Sequence, residues 1–150
     1  MNVIIRSARL DDIPQTCSLL SELFSIEADF MPDAEKQAAG LRLLLTDRSG
    51  QSIVFVAEKG DEIIGMCSVQ TLISTAEGGR AGLLEDLIVR SDCRGNGIGK
   101  RLLSEAFKWC ASENISRLQL LRDKENAPAQ KFYIGNGLRD TLLVCMRKAL

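Results

Sequence analysis

Hydrophobic positions follow two periods along this chain, one of two residues and one near 3.6, and the switches between them mark its elements. "VIIRSAR" (residues 3–9) reads as a first strand, ending where Asp11 and Asp12 are placed to cap a helix. Ile13, Cys17, Leu20, Phe24 and Ala28 then fall on one stripe of a helix over 13–28, with Pro14 in its first turn. Ala38, Leu41, Leu44 and Leu45 repeat that spacing in a second helix over 33–47. "SIVFVAEK" and "EIIGMCSVQTLI" flank Gly60-Asp61 and predict two antiparallel strands joined by a tight hairpin. After the turn "EGGR", the run "AGLLEDLIV" (81–89) is apolar on both faces, as a central strand is.

Downstream, Ile98, Leu102, Leu103, Ala106, Phe107 and Cys110 form a broad helical stripe, with Arg101, Glu105 and Lys108 mostly off it. "SRLQLL" alternates as a strand does. "NAPAQKFYIGNG" reads as a short helix capped by Asn126 and stopped at Gly137, and "LLVCMRK" reads as a last strand. The predicted order is β-α-α-β-β-β-α-β-α-β. This is an α/β fold on a mixed sheet, antiparallel in its N-terminal half, in one domain over residues 1–150.

Composition narrows the chemistry. The 19 basic and 20 acidic residues nearly cancel, which argues against nucleic acid as the principal partner. No run approaches the length of a membrane span, and three apolar residues before Arg6 leave no room for a signal-peptide core. A cytoplasmic location, with no membrane partner, is therefore expected. The five scattered cysteines, without a C-x-x-C pair, suit reduced and mostly buried thiols. There is no histidine, so no imidazole can activate a serine or cysteine, and no metal site is expected. Acid–base work falls to Asp, Glu, Tyr, Cys or Lys.

The stretch "RGNGIGK" (94–100) places three glycines between a buried strand and an amphipathic helix. It fails the P-loop pattern at both ends, and a dinucleotide fingerprint would need glycine where Lys100 stands. The setting still suits phosphate. A helix N-terminus offers unpaired N–H groups and partial positive charge, glycines let an anion reach them, and Arg94 and Lys100 can add charge. The alternative is a glycine-rich turn that only fits strand to helix.

With its flanks, "LLEDLIVRSDCRGNGIGKRLL" resembles the strand–loop–helix core of the GNAT superfamily of acyl-CoA-dependent N-acyltransferases, whose signature is R/Q-x-x-G-x-G/A. About 32 residues on, "NAPAQKFYIGNGL" resembles the family's second signature, with Gly137-Leu138 where Gly-Phe is common. The order of elements also resembles that fold. The resemblance implies acetyl-CoA as cosubstrate, with the pyrophosphate on the backbone of Gly95, Asn96, Gly97, Ile98, Gly99 and Lys100, beside Arg94. It further implies that the main chain of Leu87, Ile88 and Val89 lines the pantetheine arm, that Asn126 contacts it, and that this strand and "SRLQLL" splay apart to admit it. A homodimer is the family's common habit.

Acetyl transfer to an amine needs a base, because an alkylammonium of pKa ~10.4 is no nucleophile. It also benefits from a proton source for the departing thiolate. Tyr133, the only tyrosine, reads on its own chemistry as a packing residue with a polar tip; the resemblance places it at the family's general-acid position. Glu85 matches a base position found in some family members. Its neighbour Asp86 competes, the two facing opposite ways unless a bulge intervenes. Glu22, Glu27, Asp29, Asp33 and Glu35 make the region around the first two helices acidic, which reads first as a solvated helix face and would also suit a cationic amine. The expected activity is transfer of an acetyl group from acetyl-CoA to a primary amine in a ternary complex, a small-molecule amine being favoured over a peptide amine. The alternative is a non-catalytic acyl-CoA-binding or regulatory domain of the same fold.

Overall fold

Alternating apolar residues can bury one face of a strand only if a sheet gives that face something to lie against, and here five strands do so. The computed structural model describes residues 2–150, which divide into a unit ending at Leu120 and a unit beginning at Leu121. In the first unit β1 (Val3–Ser7), β2 (Ser52–Lys59), β3 (Glu62–Ser74), β4 (Gly79–Val89) and β5 (Arg117–Leu120) share one sheet, in that spatial order. The first four pair antiparallel and β5 joins β4 in parallel. That parallel pair requires a crossover, which α3 (Ile98–Ser112) supplies. β4 thus has a neighbour on both sides, as its continuous apolar run predicts.

Adjacent residues of β3 divide the core. Met66 packs with Val54, Val56 and Ile88 against α1 (Ile13–Ile26) and α2 (Ala34–Thr46), through Ile13, Leu19, Leu20 and Leu41. Cys67 points the other way, its thiol 3.8 Å from the Leu102 carbonyl of α3. Of the stripe read from the sequence, Ile98, Leu102, Leu103, Ala106 and Cys110 are buried on that second face, whereas Phe107, at its border, is exposed.

Asp12 does more than begin a helix. Its carboxylate accepts both terminal nitrogens of Arg6, at 2.8 and 2.9 Å, and the Arg9 amide at 2.7 Å. Arg6 also pairs with Glu58 through its Nε. The Arg6 guanidinium holds the Asp12 carboxyl below the usual carboxylate range, although burial opposes it.

The unit 121–150 contains α4 (Ala127–Gly135), with the Asn126 side chain accepting the Ala129 amide at 3.1 Å. Gly137 follows at φ +90°, past the helix end, as the sequence predicts. One expected element is absent: no strand forms over "LLVCMRK". Residues 141–150 carry neither helix nor strand, and every one of them is exposed. Side-chain pattern supplies strand propensity but not a ladder partner, and the described residues of this unit include no other strand.

Candidate functional site

The chain leaves β4 at Val89, passes through a short 3₁₀ turn at Ser91–Cys93, and enters α3. Gly95 and Gly97 both adopt left-handed backbone, at φ +79° and +75°, and Gly97 is the N-cap of α3. A β-carbon at either position would meet no atom within 4 Å. The glycines therefore serve the turn and leave open space before the helix; nothing packs against them. The α3 ladder begins with the Arg101 N–H on the Gly97 carbonyl at 3.1 Å, so the amides of Ile98, Gly99 and Lys100 stand ahead of it, at the positive end of the helix dipole. The Ile98 side chain is buried and anchors the turn, while Lys100 is exposed.

Two residues expected at the cofactor hold the loop itself. Arg94 donates from Nε to the Val89 carbonyl at 2.8 Å and from Nη2 to Glu22 of α1 at 2.6 Å. Asn96 donates from Nδ2 to the carbonyls of Cys93 and Arg94, at 3.1 and 3.2 Å. What the turn presents outward is chiefly main chain. A carbon–phosphate ligand such as a coenzyme fits such a surface: open amides, no β-carbon in the way, and a cation at its rim.

The neighbouring strand is opened in the same region. β4 pairs with β5 from Ala81 to Leu84, opposite Arg117 to Leu120, and the ladder stops there. Glu85 to Val89, including Leu87 and Ile88, therefore continue with β3 on one side and no β5 partner on the other. The ladder stops because β5 itself ends at Leu120. An extended ligand arm could hydrogen-bond along that edge.

A bulge interrupts β4 within this stretch. Ser68 pairs with Glu85 while Met66 pairs with Ile88, so Asp86 and Leu87 together oppose Cys67. Asp86 sits at φ +57°, in the left-handed region uncommon outside glycine. The simple alternation that would send Glu85 and Asp86 to opposite faces is broken there. Glu85 is exposed, and its main-chain carbonyl accepts the Ser68 hydroxyl at 3.3 Å. The half-buried Asp86 carboxyl is pushed up to about 6, by burial first and then by the charges of Glu85 and Glu27, with a Ser68 hydrogen bond pulling the other way. Burial and the charge of Asp86 push the Cys67 thiol up to about 12, which makes it a poor nucleophile near neutral pH.

On α4, Tyr133 is half-buried, its ring edge-on to Phe132 with centroids 5.2 Å apart. Its carbonyl accepts the Asn136 and Leu138 amides, at 3.0 and 3.1 Å, which closes the helix end. Asn126 caps the other end.

Glu22 and Ser68 are the parts that sequence reading did not assign. Ser68 carried a signal, being a hydroxyl in the middle of the apolar run "GMCSV". Glu22 stood out only as one of an acidic group, and its pairing with Arg94 was hidden because the two lie 72 residues apart. Among the described residues no cluster of Cys, Asp or Glu could hold a metal ion, and no helix is long and apolar enough to cross a membrane.

Residues 17–137 match the sequence model of the "Acetyltransferase (GNAT) family". An uncharacterised N-acetyltransferase of Bacillus subtilis, YhfO, is 28% identical over 137 residues, covering 91% of this chain and 89% of its own. Among solved structures, a possible acetyltransferase from Clostridium difficile superposes with a TM-score of 0.86 at 20% identity, over 100% of this chain and 99% of that one. A predicted acetyltransferase from Clostridium acetobutylicum, solved with acetyl-CoA, gives 0.78 at 21% identity, over 98% and 96%. At these identities the structural likenesses establish the fold.

Proposed function

Since the chain belongs to the GNAT acetyltransferase family, we propose that residues 1–150 form one catalytic domain that moves an acetyl group from acetyl-CoA to a primary amine by direct attack in a ternary complex. The observation that carries this reading is the open left-handed glycine turn at the head of α3, beside a strand whose pairing with β5 stops at Leu84. Acetyl-CoA supplies the activated acetyl group. The amides from Gly95 to Lys100 would hold its pyrophosphate, with Lys100 adding charge and Arg94 fixing the loop. The free edge of Leu87, Ile88 and Val89 would take the pantetheine amides, and Asn126 would contact the same arm.

The amine must arrive with a lone pair. Glu85, exposed beside the bulge, draws off the proton through water, and the neighbouring Asp86 carboxyl, pushed up to about 6, is the alternative base. Three carboxylates, Glu27, Glu85 and Asp86, interact at this point, which favours a cationic small-molecule amine. Tyr133 would return a proton from its hydroxyl to the departing sulfur. Cys67 is buried and its thiol is held protonated, so direct transfer is favoured over a route through an acyl-cysteine. Cysteines without a disulfide framework suit a reducing cytoplasm.

The test is release of CoA from acetyl-CoA across a panel of polyamines, amino acids, amino sugars and peptide N-termini. Turnover with at least one small amine is expected. Tight acetyl-CoA binding without release on any amine would favour a non-catalytic acyl-CoA-binding domain instead.

A further inference from the structure

Lys and Arg make up 19 of the 150 residues, yet none falls between Leu10 and Glu35. That stretch holds α1 and its connection to α2, with Glu22, Glu27, Asp29, Asp33 and Glu35 along it. Its potential favours a cationic visitor. The charge also reaches the bulge: Glu27, the C-cap of α1, acts on the Asp86 carboxyl of β4, next to Glu85.

Around Glu27 the chain turns apolar side chains to solvent. Ile26 is 50% exposed, Phe30 47% and Met31 86%. Phe30 folds back on Phe24 of α1, with ring centroids 5.7 Å apart and planes tilted by 50°, and half of its surface stays open. The segment that presents these side chains is pinned at both ends. At its start the Glu27 N–H donates to the Leu23 carbonyl at 3.1 Å. At its end the buried Gln37 accepts the Asp33 N–H at 2.7 Å and donates from Nε2 to the Cys17 carbonyl and the Ser21 hydroxyl, each at 2.9 Å. Three large apolar side chains within six residues, on an anchored segment, mark a surface kept for contact.

Its position says what the contact is with. Phe30 follows Glu27 by three residues, a reach of about 10 Å at most. An ammonium among the carboxylates, with an apolar group of that length behind it, satisfies both halves. A diamine would set its second ammonium against apolar surface and lose hydration there, and an amino sugar would do the same with hydroxyls. The face of an aromatic ring adds attraction for the ammonium itself.

We propose that Ile26, Phe30 and Met31 bind the body of the acceptor, and that the acceptor is a primary amine on a short aryl or alkyl chain. This rests on the acetyl-transfer reading above and uses only residues of the unit ending at Leu120. The amine nitrogen forms the amide C–N bond as the thioester C–S bond breaks. One ammonium proton leaves through the carboxylates to water, and a second ends on the CoA sulfur.

CoA release decides it, measured with 2-phenylethylamine and hexylamine against ethanolamine and putrescine, all primary amines. Wild type is expected to favour the first two by at least about tenfold in kcat/KM, chiefly through KM. Phe30→Ala and Met31→Ser should each lower that ratio several-fold, while Phe30→Leu, which keeps apolar area, should retain most of it. Met31 is so exposed that its replacement leaves the fold alone, and circular dichroism checks the Phe30 variants. A wild type that prefers the polar amines, or a ratio unchanged in folded variants, would overturn the assignment and leave acetyl transfer standing. No release from any amine, with acetyl-CoA bound, would bring down the acetyl-transfer reading and the assignment with it.

Discussion

Arg94 reaches from the glycine turn to Glu22 on α1, Nη2 to Oε1, across 2.6 Å, while its Nε holds the Val89 carbonyl at 2.8 Å. One guanidinium therefore ties the end of β4, the loop before α3 and a helix 72 residues earlier in sequence. The sequence alone suggests phosphate as the partner of this charge; in the structure its Nε and Nη2 also hold the loop in position.

Both partners are partly exposed, so the ion pair itself contributes little to stability. Glu22→Gln is expected to change stability by less than about 1 kcal/mol. Arg94→Ala loses the Val89 contact as well, and the loosened turn should raise the Kd for acetyl-CoA several-fold. Thermal melts beside calorimetric titrations of both variants check this. Equal affinity in Arg94→Ala and wild type would remove Arg94 from the account of the loop.

Asp86 carries the sharpest pH prediction. Its carboxyl is raised in the folded state, so the folded protein binds the extra proton more tightly than the unfolded chain between the ordinary carboxylate range and about pH 6. Stability is then full below that window and declines as pH rises through it. Asp86→Asn removes the buried charge and keeps a residue type that tolerates left-handed backbone, so it should stabilise the protein at pH 8 by about 2 kcal/mol and leave it unchanged at pH 3.5. Denaturant melts at the two pH values read this directly; the opposite sign would show that the charged form is the stabilised one.

The same pair should shape catalysis. In wild type, kcat/KM for the amine is expected to rise through about pH 6 as Asp86 loses its proton. Glu85→Gln removes the like charge that helps raise Asp86, so the limb should move to lower pH as well as lower rate. Asp86→Asn should lose the limb and at least about 10²-fold in rate. A limb that both variants retain belongs to the substrate.

Tyr133→Phe removes one oxygen and leaves the ring against Phe132. A lost proton donor predicts a fall in kcat of about 10²-fold with little change in the KM for acetyl-CoA, whereas a packing role predicts a stability loss of about 1 kcal/mol and unchanged turnover. The assay should use a slow and a fast amine, because a very reactive acceptor can dispense with the acid. Wild-type rates on both would take Tyr133 off the list.

Much of this was legible in sequence wherever the cause is local. The Gly60-Asp61 hairpin, the Asn126 cap and the glycine turn each depend on residues within a few positions of one another, and each lies where the pattern put it. What was not legible depends on pairing. The slip that sets Asp86 and Leu87 against Cys67 is a property of two strands together, and "LLEDLIV" alone does not reveal it. The Arg94–Glu22 contact needs α1 folded against the loop. The strand expected over "LLVCMRK" failed for the same reason: its composition is a strand's, but a strand exists only where an edge receives it.

Acetyl-CoA titrated calorimetrically into wild type and Gly97→Val tests the glycine turn most directly. Gly97 sits at φ +75° with open space where a side chain would go, so valine strains the turn by about 1–2 kcal/mol and covers the amides ahead of α3. Melts should show a destabilised but folded protein. The account predicts saturable binding to wild type and at least about tenfold weaker binding to the variant, as expected when a phosphate loses its approach to a helix N-terminus. A folded Gly97→Val protein that binds acetyl-CoA as tightly as wild type would contradict it.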